Sequence, residues 1–522
     1  MSENNNELGK LREEVARLSQ ENELLRQKLD ALARKVFGKS SEQLDGDQLQ
    51  LLLEGLEAKK PEVDGLDAQE AKPSTFTKPR KKRESRQASL PAGIATESII
   101  LIPEEVQCHP ELYREVGEEI TEKLDYDPAQ FRLIITRRKK FVKRVATLDD
   151  PEIDTFFIAP LPASVKERSL LTPRLAAEIA SNRFCYHLPY YRQQQMFFTK
   201  HQVHLPRNTM SQWMGELSHG YLKGIYDAMH ESMLCERYLQ ADETPIDYLA
   251  PGNGAAKKGY LWTMSRPDLN AIDHRGDILY QWHTGRATSC LSQLLQTQNQ
   301  RFTGILQCDG YRAYEAYQQK TGGLELIGCW AHVRRKFFEA RAYKPKISNW
   351  IIKHIQNLYT IESKLRKQRA GPAERERVRS IESLPIYRRL EKGLHQLTLK
   401  RKVLPQSNLG TAISYALGQW SKLEKCFLDG RLEIDNNLIE NGIRPTKLGA
   451  KNWLFMGSEH AGQSNAIWYS VIESCRRRRI DPWQYLVWIF SELPKLKVKK
   501  ATFAQHTPEA YAQKQKTMKK AS

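Results

Sequence analysis

The sequence predicts a multidomain protein whose largest part is an α/β core interrupted by helices. A chain of 522 residues is too long for one ordinary hydrophobic core, so about two to four domains are expected. From residue 236 onward, short β-rich runs bounded by turns are mixed with helical segments, which is typical of an α/β sheet. Two amphipathic faces within residues 346–430 then indicate an all-helical insertion into that core.

The composition favours a nucleic-acid partner. Lysine and arginine number 81 against 62 acidic residues, which gives a formal net charge of +19 and favours a polyanion. No apolar run approaches the ~20 residues of a membrane-spanning helix, and the N-terminus lacks the layout of a signal peptide. The eight cysteines contain no CxxC pair, so a reducing compartment fits. We expect a cytoplasmic, nucleoid-associated protein without a membrane partner.

Residues 1–50 contain a heptad pattern that predicts a leucine-zipper coiled coil. Apolar residues and one asparagine recur every seven positions, and a second series of leucines lies three positions on: Leu8, Val15, Asn22, Leu29 and Val36, then Leu11, Leu18, Leu25 and Leu32. A single asparagine in such a seam fixes the register and favours two strands. We therefore predict a homodimer or higher oligomer. An amphipathic helix packed on its own domain is the alternative.

Residues 51–93 and 94–165 differ in composition and in predicted structure. The first range is rich in Pro, Lys, Glu and Ser and contains KPRKKRESR, which predicts a disordered basic linker. The second contains β-rich runs such as FRLIITRRKKFVKRV and predicts a small β module. Cys108 and His109 are adjacent, but no second ligand pair follows at finger spacing, so we predict no zinc site.

Residues 166–232 predict a helical DNA-binding segment. TPRLAAEIASNRF carries a proline in its first turn, and YYRQQQMFFTK is separated from PRNTMSQWMGEL by the short break HQVHL. A second helix that begins with basic and polar side chains suits a helix-turn-helix reader, with Arg207, Asn208 and Gln212 as candidate DNA contacts. An ordinary helical hairpin is the alternative.

Three carboxylates are candidates for phosphoryl-transfer chemistry. Asp242 in YLQADETPIDYL and Asp309 in GILQCDGYRAYEAY each end a strand-like run, where α/β sheets usually bind ligands. Glu440 follows in the acidic, amide-rich segment LEIDNNLIENGIRP. Mg²⁺ prefers oxygen ligands, and two such ions activate the attacking oxygen and stabilise the leaving one. The three residues therefore form a candidate site for two Mg²⁺ or Mn²⁺ ions.

Each of these carboxylates also has a structural explanation. An aspartate at a strand end is often a turn or capping residue, and Glu440 is placed to pair with Arg444 on a helix. From spacing alone, Glu433 and Asp435 are rival third carboxylates, although Asp435 is better explained as a helix cap. Glu243 is expected to have a structural role.

Five segments occur in a distinctive order: ADETP, KGYLWTMSR, ILQCDGYRAYEAY, GCWAHVRRKFFEA and DNNLIENGIRPTKLGAKNWLFMGSEHAG. In these segments the chain resembles the DDE transposases of the IS sixty-six insertion-sequence family. The resemblance extends from the zipper and FGKSSEQL to SCRRRRIDPWQYL. It implies an RNase H-like core in two parts, residues 233–345 and 431–490, with Asp242, Asp309 and Glu440 as the catalytic triad.

The resemblance also implies a reaction and its partners. Such an enzyme cleaves DNA at the transposon ends and joins the freed 3′-hydroxyls to target DNA, in some elements with accessory proteins of the same element. A non-catalytic DNA-binding protein dimerised by its zipper is one alternative. A nuclease that cuts without joining is the other.

The sequence departs from the family pattern at two places. Family members usually carry two CxxC pairs within residues 100–150, where this chain has Cys108 followed by His109 and no second pair. The module of residues 94–165 is therefore expected to be a degenerate, zinc-ribbon-like fold without zinc. Members also tend to have arginine directly after the catalytic glutamate, where this chain has Asn441.

Further candidates lie in or beside the same segments. Cys329 and His332 in CWAH resemble a Cys/Asp-x₂-His motif of related transposases, which orients active-site elements or flanking DNA; simple helix packing is the alternative. The remaining candidate DNA contacts are basic or aromatic: Arg334, Arg335, Lys336, Arg444, Lys447, Lys451 and Trp453. Trp453 fits a place in the core equally well. Residues 491–522 are expected to be a basic tail that adds salt-sensitive DNA binding.

Overall fold

A computed structural model describes residues 94–522, except 128–129, 144–155, 251–254, 269–274, 343, 400–402, 497–499 and 522. The predicted coiled coil of residues 1–50 and the linker of residues 51–93 lie outside the described residues, and both stay predictions. The chain divides into two units. Described residues of the small unit lie in Val333–Gln356 and Arg388–Gly418, and those of the large unit lie in Ser85–His332, Asn357–Tyr387 and Gln419–Ser522.

A mixed sheet opens the large unit. Its described strands are β1 (Ala95–Leu101), β2 (Tyr113–Asp127), β3 (Gln130–Lys143) and β4 (Phe156–Ile158), with a short helix α1 (Glu104–Cys108) and a 3₁₀ turn (Pro110–Leu112) between the first two. The long strands β2 and β3 are antiparallel, β1 pairs parallel with β3, and β4 pairs antiparallel with β3. Alternation along β3 buries Phe131 and Leu133 on one face, where Phe131 contacts the ring of Phe197 at 5.2 Å.

Four helices follow this sheet in the range where the sequence predicts helices: α2 (Pro173–Phe184), α3 (Tyr190–His201), α4 (Arg207–Leu217) and α5 (Lys223–Leu234), with a π turn (Ser218–Leu222) before the last. Thr172 caps α2, because its Oγ1 accepts from the N–H of Leu175 (3.2 Å), and Pro173 occupies the first turn. Gln202 adopts a left-handed conformation (φ 55°) that ends α3 and produces the predicted break before α4.

The second sheet is the central feature of the large unit. Its described strands are β5 (Tyr238–Leu249), β6 (Ala256–Pro267), β7 (Arg275–His283), β8 (Ile305–Gln307) and β9 (Glu325–Ile327). The order across the sheet is β7-β6-β5-β8-β9, with β5, β6 and β7 antiparallel and β8 and β9 parallel to β5. Helices α6 (Thr288–Leu295) and α7 (Arg312–Thr321) make the crossovers before β8 and β9. The predicted mixed α/β fold is confirmed.

The remaining described elements are helices. They are α8 (Trp330–Glu339), α9 (Pro345–Lys367), α10 (Pro372–Val378), α11 (Leu384–Leu399), α12 (Asn408–Gly418), α13 (Trp420–Leu428), α14 (Asn437–Trp453), α15 (Glu459–Arg477), α16 (Pro482–Glu492), α17 (Lys500–Ala504) and α18 (Pro508–Ala521), with 3₁₀ turns at Ala340–Ala342 and Leu493–Lys495 and a π turn at Arg379–Ser383. None of the helices in the described ranges is both long and apolar enough to cross a membrane.

Helix α15 covers the antiparallel side of the central sheet. The hydroxyls of Ser470 and Ser474 accept hydrogen bonds from the backbone N–H groups of Tyr280 (2.8 Å) and Ile278 (3.1 Å) on β7. These side chains are buried, so each bond satisfies a strand-edge donor that water does not reach. Within residues 491–522, helix α18 is anchored by Glu509, whose carboxylate pairs with Arg266 (2.8 Å) and Arg478 (3.2 Å).

Candidate active site

The two candidate aspartates follow paired positions of neighbouring parallel strands. Gln240 on β5 pairs with Gln307 on β8, and Asp242 and Asp309 come two residues later in each segment. Neighbouring parallel strands point the same way, so equal steps from a paired position keep the two aspartates level with each other. The prediction that Asp242 ends its strand is wrong, because β5 continues to Leu249 in its pairing with β6, whereas Asp309 does follow the end of β8. The sequence repeats Leu-Gln-x-Asp in both places, and this repeat is a signal from which the shared register follows.

Buried glutamine side chains on β5 and β8 connect this part of the central sheet to the segment that precedes α14. The Nε2 group of Gln307 donates to the carbonyl oxygen of Glu433 (2.9 Å), and that of Gln240 donates to the carbonyl oxygen of Asp435 (3.0 Å). Both glutamines are fully buried, and leaving such a carbonyl without a donor costs about 1–3 kcal/mol. These bonds therefore fix where the segment runs, next to the parts of β5 and β8 that lead into the two aspartates.

Two more hydrogen bonds hold Asn436, the residue directly before α14. The side-chain amide of Asn436 donates to the carbonyl oxygen of Ala241 (3.1 Å), directly before Asp242, and its backbone N–H donates to Sγ of Cys329 (3.2 Å). Burial raises the pKa of the Cys329 thiol well above its usual range, so this sulfur is a neutral acceptor. Cys329 thus helps to position the start of the helix that carries Glu440.

Electrostatic interactions connect the three predicted carboxylates. Burial and the nearby charges of Glu243, Asp309 and Glu440 raise the pKa of Asp242 to about 8. Such interactions weaken with distance, so Asp309 and Glu440 belong to the surroundings of Asp242. Both aspartates also accept backbone hydrogen bonds at 2.9 Å: Asp242, within β5, accepts from the adjacent N–H of Glu243, and Asp309 accepts from Tyr311, as expected of a turn residue.

Glu440 lies in the first turn of α14 beside a histidine of α8. Its Oε1 is 3.7 Å from Nε2 of His332, and the two side chains are 25% and 18% exposed. Both candidate residues of the CWAH segment therefore lie near the start of α14: Cys329 contacts Asn436, and His332 lies beside Glu440. Arg444, one turn further along α14, is exposed.

The two rival carboxylates have structural partners. Glu433 is buried and pairs with Arg366 (2.6 Å) and Arg375 (3.1 Å). Asp435 accepts from the backbone N–H of Asn437 (3.0 Å) and from its side-chain amide (2.6 Å), at the beginning of α14. The charge of Glu433 is therefore compensated by arginines. The predicted helix cap at Asp435 is wrong by one residue, because Asn436 is the N-cap of α14; the oxygens of Asp435 are used instead in a turn that leads into the helix.

The side chains around Glu243 form a cluster that was not predicted from the sequence, which indicated only a structural role for Glu243. Glu243 is buried and accepts from Nε of Arg286 (2.8 Å) and from the hydroxyl of Tyr314 (2.9 Å). The guanidinium of Arg286 lies 3.8 Å from the ring centroid of Tyr311, whose hydroxyl donates to the carbonyl oxygen of Arg286 (3.0 Å). Arg286 raises no signal in the sequence, because its partners come from three distant segments.

The candidate carboxylates have donor chemistry that suits a hard divalent cation, since all three offer only oxygen. The side-chain positions do not amount to a preformed cage: no group of three or more His, Cys, Asp or Glu in the described ranges has a geometry that could hold a metal ion. Electrostatic interactions connect the three carboxylates, whereas the positions of their side chains do not form a metal-binding geometry. Burial is the main cause of the raised pKa of Asp242 and nearby carboxylates add to it; a bound cation would offset both effects by stabilising the ionised form.

The candidate DNA contacts lie on several surfaces. Arg207, Asn208 and Gln212 are exposed at the beginning of α4. Lys447 donates to the carbonyl oxygen of Pro245 (2.5 Å), and burial lowers its pKa, whereas Lys451 is exposed. Arg334, Arg335 and Lys336 are exposed residues of the small unit, where Lys336 lies 5.5 Å from the ring of Tyr415. Trp453 is half-buried under the guanidinium of Arg183.

A mixed sheet with converging acidic residues beside basic surfaces is typical of enzymes that act on nucleic acids, and comparison with known proteins gives the family. The model described as "Transposase IS66 family" matches residues 168–464, more than half of the chain. A second, described as "Transposase C of IS166 homeodomain", matches residues 24–93, which precede the described residues. The chain belongs to the IS66 transposase family, and the predicted resemblance is confirmed. Membership implies an insertion-sequence transposase that binds DNA.

Similar proteins occur in Sinorhizobium fredii (strain NBRC 101917 / NGR234). Uncharacterized protein y4qI is 34% identical over 385 residues, covering 71% of this chain and 67% of the relative. Uncharacterized protein y4jD is 31% identical over 411 residues, covering 76% of each chain, and Uncharacterized protein y4hP is 28% identical over 491 residues, covering 89% of this chain and 85% of the relative. The likeness therefore includes most of the described chain.

Proposed function

We propose that this transposase cleaves DNA at the ends of its element and joins the freed 3′-hydroxyls to target DNA, with Asp242, Asp309 and Glu440 as its DDE triad. The observation that carries the proposal is the shared register of the two Leu-Gln-x-Asp segments on β5 and β8, together with the electrostatic influence of Asp309 and Glu440 on Asp242. The sheet order, three antiparallel strands followed by two parallel ones, supports an RNase H-like core.

The triad would hold two Mg²⁺ or Mn²⁺ ions, which when bound activate the attacking oxygen and stabilise the leaving oxygen of the phosphodiester. The surrounding residues keep the carboxylates in place. Backbone N–H groups orient Asp242 and Asp309, and the buried glutamines fix the start of the helix that carries Glu440. Arg286 compensates the charge of Glu243, the extra carboxylate next to Asp242.

The proposal extends to DNA binding and assembly. The candidate DNA contacts are Arg207, Asn208, Gln212, Arg334, Arg335, Lys336, Arg444, Lys447, Lys451 and Trp453. The N-terminal coiled coil would join two or more copies, so that both ends of one element are held together. Accessory proteins of the same element are further partners in this scheme.

The test is an assay with labelled DNA that carries both flanks of the gene's element, incubated with the full chain and Mg²⁺ or Mn²⁺. Cleaved ends and joined products support the transposase. Cleavage without joining supports the nuclease alternative. Binding without cleavage under either metal supports a DNA-binding protein without catalytic activity.

Metal binding predicts a measurable change in thermal stability. We expect Mn²⁺ to raise the melting temperature of the wild type and to have little effect on Asp242→Asn. Without metal and above about pH 8, where Asp242 is ionised, Asp242→Asn should melt at or above the wild type, because it removes a buried charge that Glu243, Asp309 and Glu440 repel. Differential scanning fluorimetry measures both effects. An equal Mn²⁺ shift in both proteins would assign the metal to another site.

The same experiment has a pH dependence with a defined sign. The folded-state pKa of Asp242, about 8, exceeds the unfolded value of about 3.9, so the metal-free folded protein binds the extra proton between these values. Its contribution to stability therefore falls as the pH rises from about 4 to 8. Mn²⁺ has to displace that proton at lower pH, so its stabilising effect should be larger at about pH 8.5 than at about pH 6.5. A shift that is independent of pH would contradict this.

His332 is expected to position Glu440. We expect His332→Ala to lower the cleavage rate about 10- to 100-fold, the usual cost of losing a group that orients a metal ligand. His332→Gln, which retains a hydrogen-bonding group, should recover part of the rate. Equal losses in both variants, or a fall in melting temperature that parallels the loss, would indicate only a packing role.

A further inference from the structure

A groove of 1180 Å³ in the large unit lies between the first turns of α4 and the segment that follows α14. One wall includes Arg207 and Gln212, and the other includes Asn452 and Phe455. We name this space the aromatic groove. It is somewhat larger than the ~300–1,000 Å³ of most small-molecule pockets, which suits a short oligomeric ligand.

Aromatic side chains give the groove its ligand-binding surface. Tyr191 and Phe455 line it with 41% and 38% of their surfaces exposed, and Leu454 is 69% exposed. Leu454 has a φ of 66° because it ends α14, as Gln202 ends α3. The exposed rings of Tyr191 and Phe455 offer flat apolar faces to a ligand.

The positive charges of the groove define the class of ligand. Arg183 is 7% exposed and lies 5.1 Å from the ring centroids of both Tyr190 and Trp453. Within the described part of the chain, no carboxylate forms an ion pair with Arg183. Glu216, the acidic residue of the lining, is already paired with Lys166. Flat aromatic faces beside uncompensated cations bind single-stranded nucleic acid, through base stacking and phosphate attraction.

The walls of the groove favour an unpaired strand over a duplex. A helix that reads duplex DNA enters a major groove about 12 Å wide with its side chains directed at base edges. Here the first turns of α4 face a second wall, which is held firmly by two backbone hydrogen bonds between Met456 and β5: its N–H donates to Asp247 (2.8 Å), and its carbonyl accepts from Leu249 (2.9 Å). The residues predicted to read a duplex therefore line a space for a single strand.

Helix α14 relates the groove to the triad. Glu440 and Asn452 are twelve residues apart on this helix, which is about 18 Å at ~1.5 Å per residue. We propose that the aromatic groove binds unpaired DNA that continues from the bond cut by the triad, about 18 Å along α14 from Glu440. Only the placement relative to the cut bond rests on the proposed function.

Binding of single-stranded DNA tests the proposal without metal. Fluorescein-labelled (dT)₁₂ is titrated with the full chain in EDTA and about 0.2 M salt, because salt suppresses the contribution of the basic linker and tail. We expect the double variant Tyr191→Ala, Phe455→Ala to weaken binding at least tenfold, since each stacked base is worth about tenfold in affinity. Tyr186→Ala removes a 74% exposed tyrosine outside the groove lining and should bind like the wild type.

Two results would contradict the proposed role of the groove. One is a (dT)₁₂ affinity of the double variant within twofold of that of the wild type, and the other is an equal loss of (dT)₁₂ affinity in Tyr186→Ala. Melting temperatures close to that of the wild type show that the variants fold. The readout is independent of catalysis. If the wild type never cleaves DNA but (dT)₁₂ binding is lost only in the double variant, the groove proposal stands and the proposed reaction fails. If the wild type cleaves DNA but the double variant binds (dT)₁₂ normally, the proposed reaction stands and the groove proposal fails.

Discussion

Replacing Asp242, Asp309 or Glu440 by its amide should lower DNA cleavage and joining by at least about 10²-fold, the usual cost of removing one group that stabilises a transition state. The amides keep the size of the side chain and the hydrogen bonds from Glu243 and Tyr311, but they lose the charge that a divalent cation needs. DNA binding should persist in all three variants, because it depends on other surfaces. Cleavage and strand-transfer assays on one DNA substrate measure both steps.

The matched control for Glu440→Gln is Asp435→Asn. Asparagine forms such turns as well as aspartate does, so this variant should keep the start of α14 and its activity. Activity that survives Glu440→Gln but is lost in Asp435→Asn would reassign the third carboxylate. Combining two triad variants should cost little more than either alone, because residues that act as one unit are not additive.

The common register of the two aspartates could be predicted from a local pattern, because Leu-Gln-x-Asp occurs in both segments. The end of the first strand could not, because β5 continues past Asp242 to Leu249 through its pairing with β6, a partner that the local sequence does not reveal. The choice of Glu440 over Glu433 came from the family resemblance. In the structure, Glu433 is paired with Arg366 and Arg375, and such long-range pairs leave no periodic trace in a sequence.

The helices show the same division between local and distant information. The predicted break between the two helices of residues 190–217 is present, because Gln202 ends α3 and Pro206 precedes α4. The second wall of the aromatic groove comes from residues more than two hundred positions later, so its effect on α4 could not be predicted. Residues 491–522 looked like a basic tail by composition, but within them Glu509 anchors a helix through Arg266 and Arg478.

The largest expected loss of stability follows from breaking the ion pair between Arg379 and Glu362. Both side chains are buried, and two parallel hydrogen bonds join them: Nε to Oε1 (2.7 Å) and Nη2 to Oε2 (2.8 Å). Arg379 also donates to the carbonyl oxygens of Cys426 (2.7 Å) and Asp429 (3.1 Å). Arg379→Ala would leave the buried carboxylate of Glu362 with only the longer contact to Arg375 (3.6 Å), and we expect a loss of about 3 kcal/mol of unfolding free energy, the lower end of the usual range for breaking a buried pair. Urea denaturation followed by fluorescence measures the loss.

A neighbouring surface pair provides the control. Arg377 pairs with Glu374 at 2.8 Å, but both side chains are largely exposed, so Arg377→Ala should leave the denaturation midpoint unchanged. The double variant Glu362→Leu, Arg379→Met should recover most of the stability, because apolar groups of similar volume replace buried ion pairs at little cost. Equal effects of Arg379→Ala and Arg377→Ala would contradict the burial of the first pair.

The buried network also connects stability to the site. Arg375 contacts both Glu362 (3.6 Å) and Glu433 (3.1 Å), and the carbonyl of Glu433 is the group that Gln307 fixes beside the end of β8. Loss of Arg379 should therefore lower cleavage as well as stability, although Arg379 contacts none of the triad residues. If the double variant recovers stability and activity together, the network acts by holding the segment before α14. Recovered stability without recovered activity would instead require the charges themselves.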